Sequence, residues 1–398
     1  VSSNTERPNG LYRTTAIAGI GATEFSKESG RSELSLACEA VAAAIDDAGL
    51  RPDEVDGMVT YSTDESPDIE IARNVGIGAL RHFSRVHYGG GAACGTVALA
   101  AQAVATGAAD VVVCYRAFNE RSGRRFGAGV QDIPNAATAE RGQFAWTTPA
   151  GLLTPASWVA MVASRYMHDY GATSEDFGRV AVADRRHAAN NPAAWFYEQP
   201  ITLADHQESR WIVEPLHLLD CCQESDGGQA LVVTSVERAR SLRHTPAVVV
   251  AAAQGTGAEQ WTMTSFYRPD IAALPEMATV ADQLWANSGL TPADIDTAVL
   301  YDHFTPYVLM QLEEFGFCGR GEAAGFITDV GIEIDGGLPV NTHGGQLGEA
   351  YIHGMNGIAE GVRQIRGSSV NQVADAEHVL VTAGTGVPTS GLILGADR

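Results

Sequence analysis

Three stretches of this chain set polar or reactive side chains where the backbone would make them useful. The first is Tyr301-Asp302-His303-Phe304, which ends the apolar run VLYDHF and precedes Pro306. A phenol, a carboxylate and an imidazole at the end of a buried strand stand where α/β sheets carry their chemistry, and together they offer proton transfer. The second is NTHGGQLGEAYIHGMNGIAEG, 341–361, where Gly344, Gly345, Gly348, Gly354 and Gly357 let backbone come close to Tyr351 and His353. The third is HYGGGAACGTVALA, 87–100, with Cys94 at the start of a small-residue segment. A helix N-terminus lowers a thiol pKa, so a nucleophilic thiolate is one expectation for Cys94 and a packed structural thiol the other. Backbone N–H groups around Gly344 and Gly345, and around Gly384 and Gly386 in TAGTGVPTSG, 382–391, could form an oxyanion hole.

Other chemistries lack their patterns. His343, Glu349 and His353 do not have the spacing of H-E-x-x-H, and His217 with Cys221 and Cys222 is no better, so no metal is expected in this chain. Gly19-x-Gly21 opens like a dinucleotide fingerprint, but Glu24 occupies the third glycine position. Cys38, Cys94, Cys114, Cys221, Cys222 and Cys318 form no C-x-x-C pair and read as thiols of a reducing compartment. A net charge of −22 opposes binding to nucleic acid or anionic lipid, although a local basic pocket could still take an anionic cofactor. VSSNTERPNGLYRT has no apolar signal segment and no run is long enough to span a bilayer, so a cytoplasmic protein without membrane association is expected.

The elements that must position these groups follow from periodicity. TTAIAGIGATEF, 14–25, starts as a buried strand, and residues 32–48 form a helix between Ser32 and Gly49. A strand over 55–61, a small-residue helix over 96–109 and a buried strand over 110–117 follow. Residues 118–228 alternate Gly-rich, polar and aromatic segments, carry Trp146, Trp158, Trp195 and Trp211, and include a helix over about 156–169. CEAVAAAIDDAGLRPDEVDGMVTY, 38–61, repeats as ATVADQLWANSGLTPADIDTAVLY, 278–301, at a constant offset of 240 positions (289 − 49 = 240). Two copies of one plan therefore bracket an insertion, and Tyr61 matches Tyr301.

These motifs together resemble the thiolase superfamily over nearly the whole chain, most closely the sterol-carrier-type thiolases and the lipid-transfer proteins related to them. The resemblance implies a thiolase-like α/β fold of two pseudo-symmetric αβαβα halves: an N-terminal half over 14–117 and 224–250, an inserted cap over 118–223, and a C-terminal half over 251–398. It also exposes substitutions. The family's Cys-x-x-Gly nucleophile turn, aligned on Gly95, places Ala92 where the cysteine stands. Tyr301 replaces the histidine of His-Asp-Cys-Phe, Tyr351 replaces that of Gly-His-Pro-x-Gly-x-x-Gly, and TAGTG has no second cysteine.

A methyl group cannot carry an acyl group, which leaves an acyl-CoA pocket with two phenols. That is similar to the thiolase-like aldolases of bacterial steroid side-chain degradation. The resemblance implies retro-aldol cleavage of a 17-hydroxy steroid 20-carboxyl-CoA to a 17-ketosteroid and propionyl-CoA. Tyr301 and Tyr351 would exchange the protons, supported by Asp302, His303 or His353. The same resemblance implies a homodimer core, and an OB-fold/zinc-ribbon partner that holds the zinc and completes a heterotetramer. A thiolase using Cys94, a non-catalytic lipid-transfer subunit, and a subunit of another β-oxidation route are the alternatives.

Overall fold

Apolar runs flanked by glycine and proline become strands at each expected place. The computed structural model describes residues 13–123, 125, 127, 143–145, 147–261 and 265–397; residues 1–12 of the leader and Trp146 lie outside them. The strands are β1 Thr15–Ala22, β2 Gly57–Tyr61, β3 His82–Val86, β4 Val111–Asn119, β5 Trp211–Val213, β6 Leu216–His217, β7 Asp226–Ser235, β8 Ala247–Gly255, β9 Thr297–Val299, β10 His378–Ala383 and β11 Thr389–Ala396. Nine of them run in the order β3-β2-β4-β7-β1-β8-β11-β10-β9, and β5 pairs with β6 in a small separate hairpin.

Apart from the edge strand β3, the order reads the same from either end. β2 and β4 are parallel, and so are β9 and β10. β4–β7–β1 and β10–β11–β8 are antiparallel ladders. The halves meet at β1 and β8, which share only the pairs Ala16–Val248 and Ile17–Ala247. Two helices, Ala93–Ala105 and Met355–Arg366, pack against strands of both halves and form the middle layer. A helix covered on both sides cannot present a polar face, which accounts for the alanine-rich composition of the first. The glycines of the second serve the same end: Gly357 and Gly361 lie directly against Val299 and Leu394.

The repeat is structural down to its turns. The helices Glu33–Ala48 and Pro275–Ser288 both end on a left-handed glycine, Gly49 at φ 75° and Gly289 at φ 72°. A short turn on Pro52 or Pro292 follows. Asp56 then accepts from the Asp110 and Val111 N–H groups, each at 2.9 Å from Oδ1, and its equivalent Asp296 accepts from Glu377 and His378 at 2.8 and 2.9 Å. In each half the carboxylate gathers the N–H groups at the start of the neighbouring parallel strand.

Two boundaries differ from expectation. The helix expected over 96–109 begins at Ala93, because the Gly90–Ala92 turn feeds straight into it. It stops at Thr106, whose hydroxyl bonds back to the Gln102 carbonyl, followed by Gly107 at φ 72°. The inserted segment carries the expected helix as Pro155–Tyr170, capped by Thr154, and a further helix, Ser174–Asn190, that its polar composition hides. That helix buries Phe177, Val180 and Ala181 together with Asp184 and His187, so part of its inward face is polar. Among the described residues no helix is long and apolar enough to cross a membrane.

Asp56→Ala and Asp296→Ala should each destabilise the fold by about 2 kcal/mol, the scale of hydrogen bonds to a charged acceptor. Urea unfolding measures this, and losses near zero for both would mean that the strand starts are held by something else.

Candidate active site

The N-termini of the two middle-layer helices meet at the end of β9. From there Tyr301 is held by its backbone: its N–H donates to Thr382 Oγ1 at 2.9 Å, and its carbonyl accepts from Gln311 Nε2 at 2.9 Å. Its ring enters a slot between Gly90, before the Ala93–Ala105 helix, and Gly354, before the Met355–Arg366 helix. A methyl group on Gly90 would overlap the Tyr301 hydroxyl, and one on Gly354 would crowd the ring. Tyr351 reaches the same point, with its N–H bonded to Ser225 Oγ at 3.1 Å. The two phenol oxygens are 3.3 Å apart, within hydrogen-bond reach. Ala92, which alignment on Gly95 sets at the position of the family's nucleophile, is fully buried two residues after Gly90.

Burial dominates the electrostatics. It pushes both phenols well above their ordinary range; the bond to Tyr351 partly offsets this for Tyr301, whereas the neighbouring Tyr301 adds to it for Tyr351. Both are therefore neutral near pH 7. His303 is pushed down to about 3 by burial alone, so it is a neutral imidazole. Its ring stacks on Tyr307 with centroids 5.1 Å apart, lies 5.0 Å from the Tyr301 ring, and has Thr385 Oγ1 at 3.4 Å from Nδ1.

His353 is also held neutral, by burial and then by the Arg116 cation. Arg116 Nε donates to His353 Nδ1 at 3.2 Å, which assigns the remaining ring proton to Nε2, since arginine only donates. Arg116 is itself 1 % exposed and paired with the fully buried Asp64 at 3.0 Å. His353 adopts φ 50°, and its carbonyl accepts from the Tyr61 hydroxyl at 3.0 Å.

The other residues named from sequence have different surroundings. Asp302 accepts from the Gln346 and Leu347 N–H groups at 2.9 and 3.0 Å, and a methyl on Gly345 would collide with its carboxylate. Burial raises the Asp302 pKa, and Asp184, bonded to it, is raised well above the carboxylate range, first by burial and then by the Asp302 charge. Asp302 thus organises the Gly344–Leu347 turn rather than facing the phenols. The Gly344 N–H donates to Asn341 and the Gly386 N–H to Glu276, so neither is free to hold an oxyanion. Gly384 packs directly on Gly91.

Cys94 departs from the reactive-thiol expectation. It occupies the start of its helix, but it is 0 % exposed among Tyr61, Val97 and Val381, and its thiol donates to the Val381 carbonyl at 3.6 Å. Burial pushes that thiol well up, outweighing any effect of the helix N-terminus.

Sequence reasoning did not find the titratable groups around the phenols. Lys27, Glu120 and Cys222 come from three separate segments. Glu120 and Cys222 both act electrostatically on Tyr301 and on Tyr351. Lys27 is lowered to about 8, by burial first, and bonds Gln223 Oε1 at 2.9 Å and the Glu224 carbonyl at 2.7 Å, with Trp195 beneath its ammonium. Segment 222–225 gathers them: Cys222 N–H bonds the His303 carbonyl, and the Ser225 carbonyl accepts from Glu120 N–H. Glu120 directly follows the end of β4, a strand-end position that could have marked it. Among the described residues no group of three or more His, Cys, Asp or Glu is placed to hold a metal ion.

Comparison with known proteins agrees with this architecture. The thiolase N-terminal domain matches residues 15–237 and the thiolase C-terminal domain-like family residues 257–395. A steroid side-chain-cleaving aldolase of Thermomonospora curvata is 71 % identical over 388 residues, 98 % of this chain and 99 % of that one. A 17-hydroxy-3-oxo-4-pregnene-20-carboxyl-CoA lyase of Mycobacterium tuberculosis is 66 % identical over 385 residues, 97 % of this chain and 100 % of that one. A solved structure described as an Ltp2-ChsH2(DUF35) aldolase superposes with a TM-score of 0.94 at 69 % identity, covering 98 % of this chain and 100 % of its own.

Cys94 should resist iodoacetamide in the folded protein at least ~100-fold more than a free thiol does, and react only on denaturation, as peptide mass spectrometry would show. Labelling of native Cys94 at a free-thiol rate would restore it as a nucleophile. With a pseudo-symmetric nine-stranded sheet around a two-helix middle layer, both domain matches and relatives aligned over nearly their whole length, the chain belongs to the thiolase superfamily.

Proposed function

We propose that this chain is a carbon–carbon lyase that cleaves 17-hydroxy-3-oxo-4-pregnene-20-carboxyl-CoA by a retro-aldol reaction to a 17-ketosteroid and propionyl-CoA. The observation that carries the reading is the buried pair of phenols 3.3 Å apart, in a chain with a buried alanine at the nucleophile position. The substrate comes from the relatives that align over the whole chain.

The chemistry needs one proton moved from the 17-hydroxyl to the α-carbon of the thioester. Burial makes a free phenolate costly at either tyrosine. A relay through the neutral pair avoids that cost. The 17-hydroxyl gives its proton to the Tyr301 oxygen as the C17–C20 bond breaks and its electrons pass into the thioester. Tyr301 passes its own proton to Tyr351, and Tyr351 protonates C20. The hydroxyl oxygen becomes the ketone, the enolate becomes propionyl-CoA, and both phenols end as they began. A neutral His303 can donate a ring N–H to the thioester oxygen while charge develops on it. Asp302 supports the turn between the two tyrosines, and His353, fixed by Arg116, shapes the wall of the site.

The same reading divides the chain into an N-terminal half, 14–117 with 224–250, an inserted cap, 118–223, and a C-terminal half, 251–398. It also includes an OB-fold/zinc-ribbon partner that carries the zinc, a homodimer core and a heterotetrameric assembly. The similarity to the Ltp2-ChsH2(DUF35) aldolase supports the partner.

The test is turnover of the steroid CoA thioester by the chain with and without that partner, with products read by mass spectrometry. Tyr301→Phe and Tyr351→Phe should each lower kcat by about 100-fold or more, and the double variant should lose little further, because the two act as one unit. Near-wild-type rates in both single variants would remove the relay. Binding without cleavage in the presence of the partner would favour a lipid-transfer role instead.

A further inference from the structure

Glu276 is a fully enclosed carboxyl group near the site that the relay does not use. It is 0 % exposed, in the first turn of the Pro275–Ser288 helix. One oxygen, Oε1, accepts from the Gly386 N–H at 2.8 Å, and the other has no hydrogen-bond partner. Buried carboxyl groups are rarely left half-satisfied without a functional reason.

Gly386 lies in the turn between β10 and β11, and that turn touches the site twice. Gly384 packs on Gly91, next to the slot that takes Tyr301, and Thr385 Oγ1 stands 3.4 Å from His303 Nδ1. Tyr307, whose ring stacks on His303, flanks Glu276 from the other side. Glu276 therefore holds the turn that braces His303 and the Gly89–Ala92 segment, without reaching the reacting atoms.

We propose that Glu276 is a positioning residue for the lyase reaction, anchoring the Gly384–Gly386 turn more firmly as a carboxylate than as a neutral acid. A hydrogen bond to a charged acceptor is roughly twice as strong as a neutral one. Burial raises Glu276 to about 7, so the anchor changes state near neutrality. The charged or titratable groups facing it are Arg268, with Nη1 3.8 Å from Oε2, Tyr307 and Glu314. Arg268 favours the carboxylate and Glu314 opposes it. The proposal rests on the lyase reading for its activity readout and on the fold alone for a second one.

For activity, kcat/KM of the chain with its OB-fold partner on the steroid CoA thioester is measured across neutral pH. The wild type should gain activity with an inflection near the Glu276 value. Glu276→Gln should lose that inflection and about 10-fold in kcat on the alkaline side, with a smaller change in KM. Arg268→Gln, a second variant should the first fold poorly, should move the inflection to higher pH. For the fold alone, Tm of the ligand-free chain is followed against pH. Because the folded protein holds this proton above the ordinary carboxyl pKa of about 4.3, wild-type stability falls relative to Glu276→Gln as pH rises from there to about 7, then levels. Activity profiles and Tm differences that superimpose on the wild type would overturn the proposal. A wild-type complex that cleaves nothing would instead sink the lyase reading, and the Tm comparison would then decide on the anchor.

Discussion

Two helices pressed between the halves of one nine-stranded sheet set the terms for everything else in this molecule. The gap is filled by the Ala93–Ala105 and Met355–Arg366 helices, each pressed between strands of both halves. Close packing on both sides demands small side chains or shaped apolar ones. That demand shapes the site as well as the core. The helix starts lie where the halves meet, and their glycines leave the room that a tyrosine ring fills. Gly90 and Gly354 are conditions for Tyr301 in the same sense that Gly345 is a condition for Asp302.

A pocket built inside such packing is dry, and dryness decides which groups can do work. His303 and His353 lose their usual capacity to gain a proton, and a thiol at Cys94 cannot readily lose one. Charge survives only where it is paired, as in the buried Arg116–Asp64 contact. Arg116 in turn fixes the ring of His353 from behind, so the ion pair contributes orientation rather than acid–base chemistry. Under these conditions a proton is moved with least disturbance between neutral hydroxyl groups already in contact. The proposed phenol relay is what the low dielectric favours over a free phenolate and a charged imidazole.

The repeat and the main strands and helices that flank it were legible in the sequence, because each is local: an alternation, a capping glycine, a motif at a strand end; the pairing of Tyr301 with Tyr351 came from the family resemblance. The identical offset from Gly49 to Gly289 and from Asp56 to Asp296 predicted turns that fold alike. What stayed hidden was whatever depends on three dimensions at once. The Ser174–Asn190 helix buries Asp184 and His187, so its polar pattern concealed an inward face. Lys27, Glu120 and Cys222 converge from segments with no common motif. Of the two expectations for Cys94, complete burial bears out the packed thiol, a choice that its place in a helix could not make in one dimension.

Duplication also explains how one site could be assembled in a symmetric frame. Tyr61 and Tyr301 occupy equivalent positions at the ends of β2 and β9, yet their phenols have different obligations. The Tyr61 hydroxyl is spent on the His353 carbonyl at 3.0 Å, where it helps hold a residue in the left-handed region. Among the described residues the Tyr301 hydroxyl bonds another hydroxyl, that of Tyr351, and keeps its capacity to give and receive a proton. The His353 backbone itself belongs to the second half. The first half's tyrosine therefore braces the second half's site, and under the proposed relay the pseudo-twofold relation divides into a structural copy and a reactive one. Without a cysteine at Ala92, acyl capture has no atom to act through, and the remaining asymmetry between these two tyrosines is the feature on which carbon–carbon cleavage can be built.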